Sequence, residues 1–188
     1  MMEIIPSYGF YQYLKLLSNA PKRVVLMSPK DNLDVLYKKH IDEAKLYLPY
    51  IGDSMEVLDL GSGAGFPGIP LAIMKPQSQF YLLDKRKTHT DFLRNVITIL
   101  NLTNVKVINL DAELLKRKNL TFEVVVARAV NRIDVILSWI KDNLKSNGTV
   151  VLGKKKDIEN ELKTIKSPFH LKELIETSFG YLVVIKKL

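Results

Sequence analysis

A chain of 188 residues can build one good core but not two domains of ordinary size, and 47% hydrophobic with 26% charged residues leaves little room for disordered tails. No window offers the ~18 uninterrupted apolar residues of a membrane span, the first residues lack the basic-then-apolar pattern of a secretory signal, and the absence of cysteine removes thiol nucleophiles, zinc fingers, iron–sulfur clusters and disulfide scaffolds. The net charge of +8 sits almost wholly in the last third, where residues 114–188 hold fifteen bases against eight acids; a cytoplasmic protein with a polyanionic partner is expected, or else a merely solvated lysine-rich surface.

Hydrophobic periodicity sets the order of elements. Helices are expected over about Tyr8–Leu17 and Leu33–Tyr47, joined by a polar, proline-bearing link from Asn19 to Pro29. The run EVLDLG (56–61) then reads as a short buried strand ending in glycine, and PGIPLAIM (67–74) as a helix whose prolines fall in the first turn, where a missing N–H costs little. A strand at QFYLLD (79–84) precedes a helix from about Thr90, with Phe92, Val96 and Leu100 on one face. Strands follow at VKVINL (105–110) and FEVVVARA (122–129). Ile133, Leu137, Ile140 and Leu144 mark a further helix, expected to stop at Asn147 and Gly148. TVVLG (149–153) is a fifth strand, a polar helix covers about Asp157–Ile165, and HLKELIET and YLVVIKKL close the chain as a hairpin turning at Ser178–Gly180.

Five strand–helix units imply a parallel sheet covered on both faces, with ligands at the carboxyl ends of the strands near the switch in strand order. The division expected is a helical appendage over 1–52 and an α/β domain over 53–188.

The chemistry concentrates in EVLDLGSGAGFPG (56–68), which holds four of the chain's 9 glycines within eight positions. Glycines at 61, 63, 65 and 68 permit positive φ and let a ligand approach backbone N–H groups without a Cβ in the way. Gly63 to Gly68 fits G-x-G-x-x-G, with Asp84 near the expected spacing for a ribose acceptor, which on its own is a weak dinucleotide signal. The other register puts Asp59 two residues before Gly61, at a strand tip where a carboxylate can face a ligand ammonium group. S-adenosylmethionine carries both an ammonium and a ribose diol. The terminal hairpin favours it by fold analogy, as the outline of a Rossmann-like class I methyltransferase with a seven-stranded, mostly parallel sheet. Asp59 and Asp84 as simple turn and helix caps are the alternative.

The string LDLGSGAGFPGIPLAIMKPQSQFYLLD resembles the RsmG family, bacterial 16S ribosomal RNA guanine-N7 methyltransferases also called glucose-inhibited division protein B. Its marks are the glycine loop running into Phe66-Pro67-Gly68-Ile69-Pro70-Leu71, then Leu82–Asp84 and Phe92-Leu93. Ala112-Glu113 is similar to the family's R-A-E, Arg128-Ala129 to its S-R-A, Lys154 to its L-K-G, and His40-Ile41 to its H-I-x-D-S. This chain departs from the pattern with Asp111 for an arginine, Thr88 and His89 for a K-R pair, Glu43 and Ala44 for D-S, and Lys155 for a glycine. The resemblance implies a cofactor, S-adenosyl-L-methionine, held by Asp59, Gly61, Ser62, Gly63, Gly65, Phe66, Asp84, Lys85, Asp111, Ala112, Glu113 and Arg128. It implies Arg128, Lys154 and His40 at the reacting end, no metal, and a partner that is 16S rRNA or an assembling small subunit, methylated at guanine 527. A monomer is expected.

Absences agree with that acceptor. Methylation of C5 of a pyrimidine ordinarily needs a cysteine, and an exocyclic adenine amine an N/D-P-P-Y/F stretch where this chain reads ARAVNR. Guanine N7 has a free lone pair and needs position more than proton transfer. Arg128 suits that task as a reader of guanine O6 or a phosphate; a sheet-edge arginine paired to a carboxylate is the alternative. Lys154 to Lys156 could hold phosphates or be plain solvated lysines, and Trp139 reads as packing before base stacking. A methyltransferase of the same fold on a non-RNA substrate and a non-catalytic nucleotide-binding module stand as the competing readings.

Overall fold

The computed structural model describes residues 4–22, 24, 32–155 and 158–188. Seven strands form one sheet in the order β3-β2-β1-β4-β5-β7-β6: β1 (Glu56–Leu60), β2 (Gln79–Asp84), β3 (Val105–Asn109), β4 (Phe122–Arg128), β5 (Leu144–Lys154), β6 (Phe169–Thr177) and β7 (Gly180–Lys187). The first five are mutually parallel, and β7 runs antiparallel to both β5 and β6. The expected class and the closing hairpin are therefore those observed. The order reverses between β1 and β4, so their carboxyl ends diverge and open a crevice there.

The central strands are apolar on both faces because helices cover both, as parallel sheets require. On one face α1 (Ile4–Ser18), α4 (Gly68–Met74) and α5 (Lys87–Leu100) pack on Val57, Phe80 and Leu82. On the other, α6 (Ile133–Ile140) and the 3₁₀ run Ala112–Arg117 cover Leu58, Leu83 and Val125. Phe10, Tyr13, Leu14 and Leu17 of α1 are buried in the same cluster as β1 and β2, so the helical segment before residue 53 fills a face of the sheet. Its second part is helical over 33–45, where α2 (Leu33–Leu36) and α3 (Glu43–Lys45) flank a π-helical turn at Tyr37–Asp42. Most of the link expected at 19–29 lies outside the described residues.

Boundaries moved where side chains pair across strands. The helix expected to reach Leu144 ends at Ile140, because Leu144 already opens β5 opposite Phe122. Asn147 takes a left-handed φ of 59° and the register shifts between Phe122 and Val124, so the Asn-Gly pair makes an irregularity inside β5 instead of ending a helix. The helix expected from Thr90 begins at Lys87 and ends on left-handed Asn101, whose N–H returns to Ile97 O and Thr98 O. The polar helix expected over 157–165 is the four-residue α7 (Glu159–Leu162), with Asp157 outside the described residues.

Candidate active site

The glycine loop is built by folding the chain back over β2. Gly61 N and Ser62 N both donate to Leu83 O, at 2.8 and 3.0 Å, and Ser62 Oγ closes the turn on Asp59 O at 2.9 Å. Gly61 and Gly65 carry φ of +71° and +108°, and a Cβ at either would strike Val130 or Ile69, so only glycine serves there. Tyr13 reaches up from α1 and donates its hydroxyl to Ala64 O at 2.9 Å, pinning the loop from beneath.

The two acids occupy different places. Asp59 is fully buried, with Oδ2 accepting the Gly68 N–H at 3.0 Å and Oδ1 without a hydrogen-bond partner. Its carboxylate thus sits under the loop at the start of α4, whereas the sequence suggested a side chain facing a ligand; the reason is the Gly68 amide, an unpaired helix-start donor that draws the acid inward. Burial pushes its pKa up to about 7, against the Gly68 and Ser62 hydrogen bonds. Asp84 accepts from Gly63 N at 2.9 Å and Arg86 N at 2.8 Å, and its Oδ2 lies 3.0 Å from His89 Nδ1. Burial works to raise its pKa, but the Arg86, His89 and Gly63 contacts outweigh it and leave the group below its ordinary value.

Two clefts open at the carboxyl ends of the strands. The first, about 470 Å³, is lined by Gly61, Asp84, Lys85, Asp111, Ala112 and Trp139 among others. The second, about 340 Å³, faces the hairpin, with Tyr47, Gly153, Lys155, Phe179 and Tyr181 in its wall. Arg128 and Ala129 line both. Ala129 holds φ of 53°, uncommon outside glycine, with its N–H on Gly153 O at 3.2 Å. Arg128 is fixed by Glu43 Oε2 at 3.0 Å and His40 Nδ1 at 3.1 Å, both through Nη1, and lies over the Phe66 ring at 5.9 Å. His40 in turn stacks on Phe66 with centroids 4.0 Å apart.

Most residues named from the sequence therefore converge on one end of the sheet. Gly61, Asp84, Lys85, Asp111, Ala112 and Arg128 line the first cleft; Ser62, Gly63, Gly65 and Phe66 build the loop and its support. Glu113 is exposed and stands outside both walls, its N–H spent on the Asp111 side chain. Lys154 is not the free rim cation expected: Nζ pairs with Glu161 at 2.7 Å and donates to Asn131 O at 2.7 Å, leaving the side chain 10% exposed. Lys155 beside it is exposed, and Lys156 lies outside the described residues.

The family model described as rRNA small subunit methyltransferase G (GidB) matches residues 8–184. The chain belongs to that family. Relatives named ribosomal RNA small subunit methyltransferase G include that of Flavobacterium johnsoniae, 37% identical over 87% of this chain and 81% of that one. Another, from Carboxydothermus hydrogenoformans, is 36% identical over 82% and 67%. Among solved structures, the ribosomal protein L11 methylase of Lactobacillus delbrueckii subsp. bulgaricus aligns with TM-score 0.65 at 15% identity, over 79% of this chain and 78% of that one. TYW2 of M. jannaschii in complex with AdoMet aligns at 0.63 and 22%, over 79% and 74%. These two likenesses show the fold, that of Rossmann-like methyltransferases.

Within the small subunit methyltransferase G family, the positions where this chain departs from the usual pattern carry contacts that sequence reasoning missed. Glu43 is the carboxylate that holds Arg128, so the paired-arginine alternative is present in the structure. His89 is buried against Asp84. An acid at a strand tip followed five residues on by a histidine, one turn into the next helix, was the available signal. Tyr13 and Tyr47 had none, because their roles depend on how the N-terminal helices dock.

Proposed function

We propose that this chain transfers a methyl group from S-adenosylmethionine to N7 of a guanine in 16S rRNA, guanine 527 by family resemblance. The residues present fit that cofactor. The Gly61–Gly63 backbone passes the first cleft with no Cβ allowed at 61, Asp84 stands ionised at the rim where a ribose diol would sit, and Lys85, Asp111 and Ala112 close the side where the nucleoside would lie. Bound there, the cofactor supplies a sulfonium methyl, an electrophile that a neutral lone pair can take without prior loss of a proton.

Guanine N7 offers such a lone pair, so the protein's task is placement. Arg128 supports this reading most directly, since it stands between the two clefts with Nη1 committed and its other guanidinium nitrogens without hydrogen bonds among the described residues. Those donors suit guanine O6 or a neighbouring phosphate. Glu43 offsets the arginine's charge beside a base that becomes cationic on methylation. His40 and Phe66 hold the guanidinium in its plane, and Lys154 ties the tip of β5 to the loop after β4. Asp59 serves the cofactor indirectly, by fixing loop and helix to each other.

On this reading the protein is a monomer that works in the cytoplasm on rRNA or an assembling subunit. No helix among the described residues is long and apolar enough to cross a membrane. Borohydride and aniline cleavage of 16S rRNA from a strain lacking the protein reads the acceptor: loss of one N7-methylguanine cut supports the assignment, and its persistence ends it. Calorimetry with S-adenosylmethionine and with NAD reads the cofactor, and micromolar binding of NAD alone overturns it.

A further inference from the structure

The amino ends of the parallel strands gather bases, and among the described residues only Lys145 of these is answered by an acid. β4 begins at Phe122 opposite Leu144, and the antiparallel hairpin brings Lys186 and Lys187 back to the same end, beside Thr149 and Phe169. The buried amide of Asn143 ties that turn to the end of the 3₁₀ run, donating to Lys118 O at 3.2 Å and Leu120 O at 2.7 Å. Lys187 Nζ donates to Lys141 O at 2.7 Å, and Lys186 Nζ to Asn147 O at 2.8 Å. Arg117, Lys118, Lys141, Lys145, Lys186 and Lys187 thus share one rim.

The local acids are few. Glu123 is paired to Lys145 and accepts the Glu56 N–H, Asp53 is paired to Lys75, and Glu56 and Asp142 are the others. Among the described residues no carboxylate lies in ion-pair range of Arg117, Lys118, Lys141, Lys186 or Lys187. Carbonyl contacts orient Lys186 and Lys187 without neutralising them. From Thr149 to Lys154, β5 takes five steps, about 17 Å, which exceeds the ~8 Å screening length of physiological salt. Charge at this end therefore does little to the reacting centre and acts on whatever touches it.

We propose that this rim is a second RNA-binding surface, gripping rRNA phosphates remote from the methylated base; the identity of the polyanion rests on the function proposed above. It explains why the excess charge lies in the last third of the chain, whose residues at the catalytic end are largely paired.

The test is a triple variant, Arg117→Gln, Lys118→Gln and Lys141→Gln, against a control that removes equal charge elsewhere on the exposed surface, Lys15→Gln, Lys22→Gln and Lys163→Gln. Binding of small ribosomal subunits is measured from 50 to 200 mM salt, with methylation kinetics and S-adenosylhomocysteine affinity alongside. The rim variant is expected to weaken binding about tenfold and flatten the log–log salt slope by about 2, given roughly 0.7–0.9 per phosphate contact. Its kcat and cofactor affinity stay within twofold, and the control moves the slope by less than half as much. Equal slopes in wild type and rim variant, or equal losses in rim and control variants, overturn the proposal. If wild type binds subunits but leaves N7 unmethylated, the function proposed above fails while the slopes still read the rim; if it does not bind subunits at all, both fall.

Discussion

The two ends of the sheet use positive charge in opposite ways. At the carboxyl ends Arg128, Lys154, Lys85 and Arg86 face Glu43, Glu161, Asp111 and Asp84, at 3.0, 2.7, 3.7 and 3.7 Å. At the amino ends Lys186 and Lys187 face only carbonyl oxygens. A paired cation gives up much of its field and gains a fixed direction, which is what a reacting centre needs. An unpaired one keeps its field and its counterions, which is what affinity for a polyanion draws on.

If pairing marks positioning, the largest effect belongs to Arg128. Arg128→Ala should lower kcat/KM for small subunits about a hundredfold, of the size seen when a fixed polar group at a reacting centre is removed, with S-adenosylhomocysteine affinity within threefold. Steady-state kinetics at two salt concentrations sharpen the point: the loss should persist at high salt, whereas a loss that vanished would make Arg128 one more phosphate contact and erase the contrast.

Glu43→Gln comes next. It keeps shape but leaves Arg128 charged and unbalanced beside a base that turns cationic, and about a tenfold fall in kcat with KM near wild type is expected, or ~1.4 kcal/mol. A fall confined to KM would assign Glu43 to substrate binding.

How far this contrast was visible beforehand differs by element. β1, β2 and β4 were legible because their runs are mostly apolar and lead to Gly61, Asp84 and Arg128, residues that local chemistry places at strand tips. The end of α6 was not, since Ile140 and Leu144 keep helical spacing whether Leu144 packs from a helix or from the strand opposite Phe122. Pairing was the least legible layer. Glu43 lies 85 positions from Arg128, and only the docking of the 33–45 helical run on the sheet brings them together. The inward turn of Asp59 onto the Gly68 amide was not legible, because that pull is a property of the folded loop.

The two loop acids give a pH test within the paired end. Asp59, raised to about 7 by burial, keeps a proton in the folded state that the unfolded chain releases near ~3.9. The stability this carries is complete below about pH 4 and is lost as pH rises toward 7, at up to ~1.4 kcal/mol per pH unit. Asp84 is lowered, so its contribution is present above about pH 4 and lost only in more acid solution. Urea unfolding from pH 4.5 to 7 should therefore slope downward in wild type and run flat in Asp59→Asn. A slope that survives the substitution would show that another group carries the proton.

The smallest effect expected tests whether the N-terminal helix takes part in the paired end at all. Tyr13 is fully buried, and its hydroxyl donates to Ala64 O inside the glycine loop while sitting close under Gly65. Tyr13→Phe removes that one bond and leaves the ring, so about 1 kcal/mol of stability should go, with the half-buried Ala64 carbonyl losing its tyrosine donor. Because the lost bond reaches the loop directly, S-adenosylmethionine affinity should fall by a few-fold in calorimetry, while the salt slope for subunits stays at the wild-type value. Stability lost without any change in cofactor affinity would make α1 a cover for the sheet and leave the loop's geometry to Gly61, Gly65 and the buried Asp59.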